Sequence, residues 1–430
     1  MILRTVSGGQ TRPFPPERGD RPPERLYLWM LTDPRRPRRV GELELVRPSE
    51  SISLRYAQGW LAQGFALSED LPLIEQEFSP AERRVAAGAV DDARPGSWGE
   101  RVIRLVERPP RLSLLEYLYF AGDDRFGALG VSTSAERYLP RRLGPLPTLA
   151  DAERVHDLIR KVRDNEAVPS QLSSLVSTGA ALGGTQPKAL LDIHGASWVI
   201  KFSDGGPVDT PLLEHATMTL ARKAQIRTAT TMAVKLAHGH AVAIERFDRE
   251  AGARRHCLSA AVALRAAAEP CGYPELAQLL RRNGVAEGDR YVADMRELFR
   301  RMVFNILMDN TDDHEGNHAL MMTNRRRYEL SPAYDVLPSG RALGFQRMRV
   351  GEREADSTLD NALSMSALFS LRKVDAIREV RLIARVVSGW REHFRKCGVT
   401  AGDIDQYAQQ IDRPFLKDQR ESTRAMSQHG

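Results

Sequence analysis

Asn305-Ile306-Leu307-Met308-Asp309-Asn310-Thr311-Asp312-Asp313-His314-Glu315-Gly316-Asn317-His318-Ala319-Leu320, running on through Met321 to Leu330 and closing on Ser331-Pro332-Ala333-Tyr334-Asp335, decides how this chain is read. The stretch begins as the apolar end of a helix and finishes in two short extended runs, yet it gathers carboxylates, amides and a histidine. Such groups are costly to bring together unless something charged is held there. Asp312 stands five positions before Asn317. In a phosphoryl-transfer loop that spacing lets the Asp take the proton of an acceptor hydroxyl while the Asn holds magnesium. Beyond Asn317, the runs His318–Met322 and Arg327–Leu330 flank the turn-prone Thr323-Asn324, which predicts a hairpin. The hairpin would return Asp335 beside the loop, where a second carboxylate can hold magnesium on nucleotide phosphates. Taken alone, the acids read as a solvated helix end; the Asn, the hairpin and the second Asp together favour a catalytic loop.

Working outward, the 430 residues allow two or three domains, and 42% apolar with 27% charged is the composition of a soluble globular protein. No apolar run approaches a membrane span, and the first residues lack the apolar core of a signal peptide, so a cytoplasmic protein is expected. Cys257, Cys271 and Cys397 lie far apart without C-x-x-C spacing, which points to buried thiols and to neither a disulfide framework nor a zinc site. A net charge of +6 is mild at this length and does not establish nucleic-acid binding.

Upstream, the sequence reads as a loose Pro- and Arg-rich arm over residues 1–24, then strands at Leu26–Leu31, Val40–Val46 and Ser51–Tyr56. Arg35, Arg36, Arg38 and Arg39 are placed in the first turn. The segment Pro95-Gly96-Ser97-Trp98-Gly99 leads into a helix at Glu100–Val106, and a second helix covers Leu112–Phe120 before the Gly-punctuated Gly122–Val131. A Pro-rich linker, Pro140–Pro147, marks a boundary. Past it come a helix from Asp151 to about Val162 and the small-residue run Ser177-Thr178-Gly179-Ala180-Ala181-Leu182-Gly183-Gly184-Thr185-Gln186-Pro187-Lys188, whose backbone N–H groups could approach phosphate oxygens. By itself this is equally a plain turn, since it matches neither of the common phosphate-loop patterns. The strand Ala189–Ile193 follows, then Ser197–Phe202, which carries Lys201 at the end of an apolar run as a phosphate lysine would sit. A helix opening at Pro211 sets Glu214 in position to pair with Lys201. Strands at Met232–Leu236 and His240–Asp248 then lead to a hinge whose backbone could meet adenine. The second lobe reads as helical: Val292, Met295, Phe299, Met302, Val303 and Ile306 form a core stripe, Val380, Ile383, Val387, Trp390 and Phe394 mark another helix, and Thr400 with Asp403 caps a last one.

Gly183–Lys188, Val199-Ile200-Lys201, Ile244-Glu245-Arg246-Phe247-Asp248-Arg249, Asp312–Asn317 and Ser331–Asp335 together resemble the HipA-type serine/threonine kinases, the toxins of bacterial toxin–antitoxin pairs. The opening strands, Pro95–Gly99 and Gly122–Val131 also look like that family's amino-terminal region, so the resemblance spans nearly the whole chain. It implies an α+β, two-lobed, protein-kinase-like fold with a β-rich amino-terminal region and an all-α carboxy-terminal lobe. The expected division is 1–140 for the amino-terminal subdomain, 148–250 for the ATP-binding core and 251–430 for the helical lobe. By resemblance Asp312 is the proton acceptor, preferred over Asp309 and Asp313 for its spacing and alignment. Asn317 and Asp335 hold Mg2+ and Lys201 contacts phosphates. Gly183, Gly184, Thr185, Gln186 and Lys188 form the phosphate loop, Glu245, Arg246 and Phe247 contact adenine, and His314 and Tyr334 lie near the ATP. The family's best-known members switch off by phosphorylating a serine ahead of the Gly-rich loop. Here Ala181 aligns with it, leaving Ser177 and Thr178 as substitutes. An aminoacyl-tRNA synthetase as protein substrate, a small helix-turn-helix antitoxin as partner, DNA reached only through that antitoxin and no membrane association are further implications. A kinase-fold co-repressor without activity and a small-molecule kinase are the competing readings. Retention of Lys201, Asp312, Asn317 and Asp335 argues against the first.

Overall fold

The computed structural model describes residues 24–107, 112–141 and 144–425. The expected arm lies outside them save for Glu24, as do two residues of the Pro140–Pro147 linker. The first sheet has five antiparallel strands in the order β4-β3-β2-β1-β5: β1 Arg25–Met30, β2 Arg38–Val46, β3 Ser51–Tyr56, β4 Glu77–Phe78 and β5 Leu129–Ser132. Alternation of apolar residues puts Leu26, Leu28, Leu43, Ile52 and Leu54 in its core. Arg38 and Arg39 begin β2 rather than belonging to the turn.

A second antiparallel sheet, β6-β7-β9-β8, is built from β6 Lys188–Ile193, β7 Ala196–Lys201, β8 Thr231–Lys235 and β9 His240–Glu245. Its two faces serve different cores because side chains on a strand alternate. Along β9, Val242 and Ile244 join the core holding Leu213 and Ala216 of the helix Thr210–Lys223. Ala241 and Ala243 join a separate core with Val155 and Ile159 of the helix Ala152–Arg163, together with Trp98.

The carboxy-terminal half is organised on the helix Arg290–Leu307, whose Met295, Phe299, Met302, Val303 and Ile306 are all buried. The expected fold class holds; a two-stranded ribbon of β10 Arg249–Glu250 and β11 Ala253–Arg254 follows β9, and within the helical half lies a small sheet of β12 Cys257–Ser259, β13 Ala319–Met322 and β14 Tyr328–Leu330. β13 and β14 are the hairpin read from the sequence. The run Val380–Phe394 is two helices, Lys373–Val387 and Trp390–Lys396, rather than one. Ser388-Gly389 separates them, a pair with little to gain from continuing a helix. Of the three thiols only Cys257 is buried; Cys271 is exposed and Cys397 half-buried. No helix among the described residues is long and apolar enough to cross a membrane.

Two segments that the sequence presents far apart, Asp123–Gly127 and Arg246–Arg249, are strapped together around the buried Asp248. Its carboxylate accepts from Arg246 Nε and Nη2 at 2.9 and 2.8 Å, from Arg249 Nη1 at 2.9 Å and from the Gly127 N–H at 2.8 Å. The same guanidinium groups donate to the Arg125 carbonyl at 2.7 and 2.6 Å. Gly127 sits at φ +71°, where a side chain would strain the turn. Burial opposes ionisation of Asp248, but Arg246 and Arg249 outweigh it and hold the carboxyl well below the usual range. Removing one member of such a buried network leaves uncompensated charge. Asp248→Ala should therefore cost about 3–5 kcal/mol in urea denaturation at pH 7. Because the folded value lies below the unfolded one, the wild-type contribution should be the same at pH 6 and 8 and fade only as the medium is acidified below about pH 4.

Candidate active site

The second sheet places two lysines side by side. Lys188 opens β6 and Lys201 closes β7, and the antiparallel register makes them direct partners. Lys201 Nζ lies 2.7 Å from Glu214 Oε1 and also bonds Asp335 Oδ1. Glu214 comes from the first turns of the helix Thr210–Lys223, which Asp209 caps by accepting from the Leu212 N–H. Asp335 arrives through the β13–β14 hairpin and sits at φ +58°. Burial disfavours the Asp335 carboxylate, yet Lys201 outweighs it and draws its pKa down. For Glu214 burial wins and its pKa rises. Lys188 is buried beside the Lys201 charge and its pKa falls to about 8, while its ammonium donates to the Gly183 carbonyl at 2.7 Å.

The neighbouring loop separates three carboxylates that are alike in sequence. Asp313 is buried and bonds Tyr273 Oη at 2.5 Å and His318 Nε2 at 2.7 Å. Burial would push its carboxyl up, but His318 and the Tyr273 hydroxyl hold it down. Asp309 is buried in a left-handed conformation, φ +56°, and is held 2.8 Å from Arg413 Nη1. Asp312 alone reaches solvent, its side chain 52% exposed, with Arg347 Nε 3.0 Å from Oδ1. Two of the three acids thus belong to the scaffold, and Asp312 is the one open to an incoming molecule.

His314 starts the short turn Glu315–Asn317 by accepting from the Gly316 N–H at 3.0 Å, and Asn317 is buried at its end. Tyr334 Oη donates to the Gly316 carbonyl at 3.0 Å. Its ring stacks on Phe247 at 5.5 Å, and Phe126 meets Phe247 edge-on at 6.3 Å. Glu245 ends β9 half-buried. The Arg246 side chain is committed to Asp248 and its N–H to the Ser197 carbonyl, which leaves its own carbonyl as the group able to meet a ligand. Gln186 donates to the Phe202 carbonyl at 3.3 Å, at the root of the Gly-rich loop. Ser177 and Thr178 are buried with their hydroxyls bonded to Ser173, Leu175 and Leu190 backbone, and Ala181 is buried as well.

Sequence reading missed the clamp on the Gly-rich loop. Gly96 packs so closely that a Cβ would stand 2.4 Å from the Gly184 nitrogen, and one on Gly99 would stand 2.1 Å from the Ala180 oxygen. Trp98 Nε1 donates to the Lys188 carbonyl at 2.9 Å. The small residues on either side of Trp98 were the available signal. Arg347 had none.

For a metal, the Asn317 amide oxygen and the Asp335 carboxylate are hard oxygen donors that fit magnesium. Among the described residues no group of three or more His, Cys, Asp or Glu could hold an ion, so phosphate oxygens and water would have to complete the shell, as magnesium commonly requires.

Residues 180–393 match the family model of the HipA-like C-terminal domain. This part of the chain belongs to that family, and the fold is HipA-like. The solved HipA of Shewanella oneidensis MR-1, in complex with HipB and its operator DNA, superposes with a TM-score of 0.65 at 18% identity, covering 92% of this chain and 97% of that one. Over 250 residues the chain is 27% identical to the Sinorhizobium fredii (strain NBRC 101917 / NGR234) protein named "Putative kinase Y4dM", covering 52% of this chain and 60% of that relative, so it spans less than two thirds of the relative's length. The Helicobacter pylori proinflammatory kinase CtkA matches with a TM-score of 0.40 at 10% identity over 57% of this chain and 94% of its own.

The split between scaffold and open acids has a direct test. Asp313→Ala should lower stability by about 3–5 kcal/mol in chemical denaturation, since it strands His318 and Tyr273 in the interior. Asp312→Asn, losing one exposed ion pair, should change it by less than about 1 kcal/mol.

Proposed function

We propose that the chain is an ATP-dependent serine/threonine protein kinase, acting as the toxin of a toxin–antitoxin pair. The observation that carries this reading is the bridge of Lys201 between Glu214 and Asp335, with the solvent-open Asp312 on the adjoining loop. In this reading Lys201, aided by Lys188, neutralises phosphate charge, and the backbone N–H groups of Gly183–Lys188 cradle the phosphates. Asn317 and Asp335 would hold Mg2+, which supplies charge neutralisation at the transferring group when bound. Asp312 accepts the hydrogen bond of the acceptor hydroxyl through a carboxylate oxygen, orients it towards the nucleotide and takes its proton. Glu245, the Arg246 carbonyl and Phe247 would meet adenine, with His314 and Tyr334 beside the nucleotide. Glu214 acts by holding Lys201 in place.

The kinase name of the Sinorhizobium relative supports phosphoryl transfer. The Shewanella complex of HipA with HipB and operator DNA supports a small antitoxin that reaches operator DNA on the kinase's behalf. The acceptor we favour is an aminoacyl-tRNA synthetase, whose loss would stop translation. We also propose the division into residues 1–140, 148–250 and 251–430 as functional units, and a cytoplasmic location. Self-phosphorylation at Ser177 or Thr178 would require this buried segment to leave its seat.

Incubation of the full chain with γ-labelled ATP and magnesium in a lysate should label a discrete protein. Asp312→Asn should reduce the rate by about 10²–10⁴, and Asp335→Asn should abolish labelling, with circular dichroism unchanged in both. Labelling that survives both substitutions would sink the reading. Nucleotide affinity should also fall as pH rises through about 8, where Lys188 loses the charge that favours an anion. Titration calorimetry at pH 7 and 9 should show this fall in the wild type and a flat response in Lys188→Met.

A further inference from the structure

The chain leaves the catalytic loop and returns to it. Ser339 Oγ hydrogen-bonds with Thr311 Oγ1 at 2.6 Å, and the Ser339 N–H donates to the Asp309 carbonyl at 3.0 Å. Further on, Arg347 pairs with Asp312. Both ends of the segment 339–347 are therefore fixed to residues 309–312. Its later part is anchored to residues 355–357: Gln346 N–H donates to the Ala355 carbonyl at 2.8 Å, the Ser357 N–H to the Gly344 carbonyl at 3.0 Å, and Gln346 Nε2 to Ser357 Oγ at 2.9 Å. Gln346 and Met348 point inward and are buried, so Phe345 and Arg347 share the outward face, about 7 Å apart along the chain.

Phe345 is 53% exposed and Leu343 42% exposed. Arg341, also exposed, has no carboxylate within 4 Å among the described residues. Arg341, Leu343, Phe345 and Arg347 are all exposed, with Ala342 exposed between the first two, so the segment presents cationic, apolar, apolar and cationic side chains in turn. A ledge of this composition beside the open carboxylate complements an extended segment that offers an apolar side chain and an acid.

Resting on the kinase reading above, we propose that residues 341–347 dock the acceptor protein through an extended segment whose serine or threonine is flanked by an apolar residue and a carboxylate. The apolar residue seats on Leu343 and Phe345. The carboxylate takes Arg347 from Asp312, exchanging one ion pair for another, so that Asp312 becomes free to receive the hydroxyl as the correct segment arrives. Arg347 is a positioning residue in this scheme, and the ledge selects for a polypeptide over a small-molecule hydroxyl.

Fluorescence anisotropy with the full chain, without ATP, tests it using three labelled peptides: a serine flanked by Leu and Glu, by Leu and Lys, and by Ala and Glu. The Leu/Glu peptide should bind about tenfold more tightly than the others. Phe345→Ser should remove the advantage of Leu over Ala, and Arg347→Gln should remove that of Glu over Lys. Equal binding of all three peptides, or a preference that survives both substitutions, overturns the proposal. Both side chains are exposed, so thermal melts of the variants should match the wild type. Phosphate transfer is not part of the readout, so a chain that shows these preferences yet transfers no label removes the kinase reading and leaves the ledge standing.

Discussion

An ammonium group enclosed between two carboxylates is the constraint around which this molecule is arranged. Lys201 would be strongly disfavoured in a low-dielectric interior without compensation, and each of its acids would be disfavoured without Lys201. Compensation demands that a strand end, a helix start and a hairpin return meet at one point. The strand supplies Lys201, the helix Thr210–Lys223 supplies Glu214, and the β13–β14 hairpin delivers Asp335 from the other half of the chain. Lys188 adds a second cation alongside. The cluster carries two positive and two negative side chains, and the Lys188 ammonium reaches on to the Gly183 carbonyl of the Gly-rich loop.

The loop beside that cluster shows how similar groups acquire different roles. Asp309, Asp312 and Asp313 sit within five residues, and what distinguishes them is the partner each finds. Arg413 comes from the end of the chain, and Tyr273 and His318 from elements on either side of the loop. Burying two of the acids anchors the loop at both, and the third is left at the surface between them. The aromatic contact of Phe247 with Tyr334 ties the same loop to the hinge that follows β9.

Much of this arrangement was legible beforehand wherever a local pattern encodes it. The apolar stripe of Arg290–Leu307, the turn in the β13–β14 hairpin and the lysine ending β7 are written in consecutive residues, and so their elements could be placed. The pairing of Lys201 with Glu214 followed from the order of strand and helix. Contacts between distant segments were hidden. Nothing near Arg347 announces that it faces Asp312, and nothing in Asp123–Gly127 announces the Arg246–Asp248 network. The choice between Asp312 and Asp313 could rest only on spacing and alignment, because the burial that separates them is a tertiary property. The break at Ser388-Gly389 was visible in principle, but an uninterrupted apolar period across it concealed the end of one helix and the start of the next.

The two-faced sheet β6-β7-β9-β8 carries a consequence for how the molecule comes apart. Val242 and Ile244 belong to one apolar core and Ala241 and Ala243 to another, so the same short strand is a wall of both. Peeling β9 away would open both interiors at once and release Lys201, its neighbour in the ladder, from its place. Melting that spares one core while freeing the other is therefore opposed by the strand they share. Coupling between the two cores arises from alternation along six residues, and the strand that carries Lys201 is paired to it.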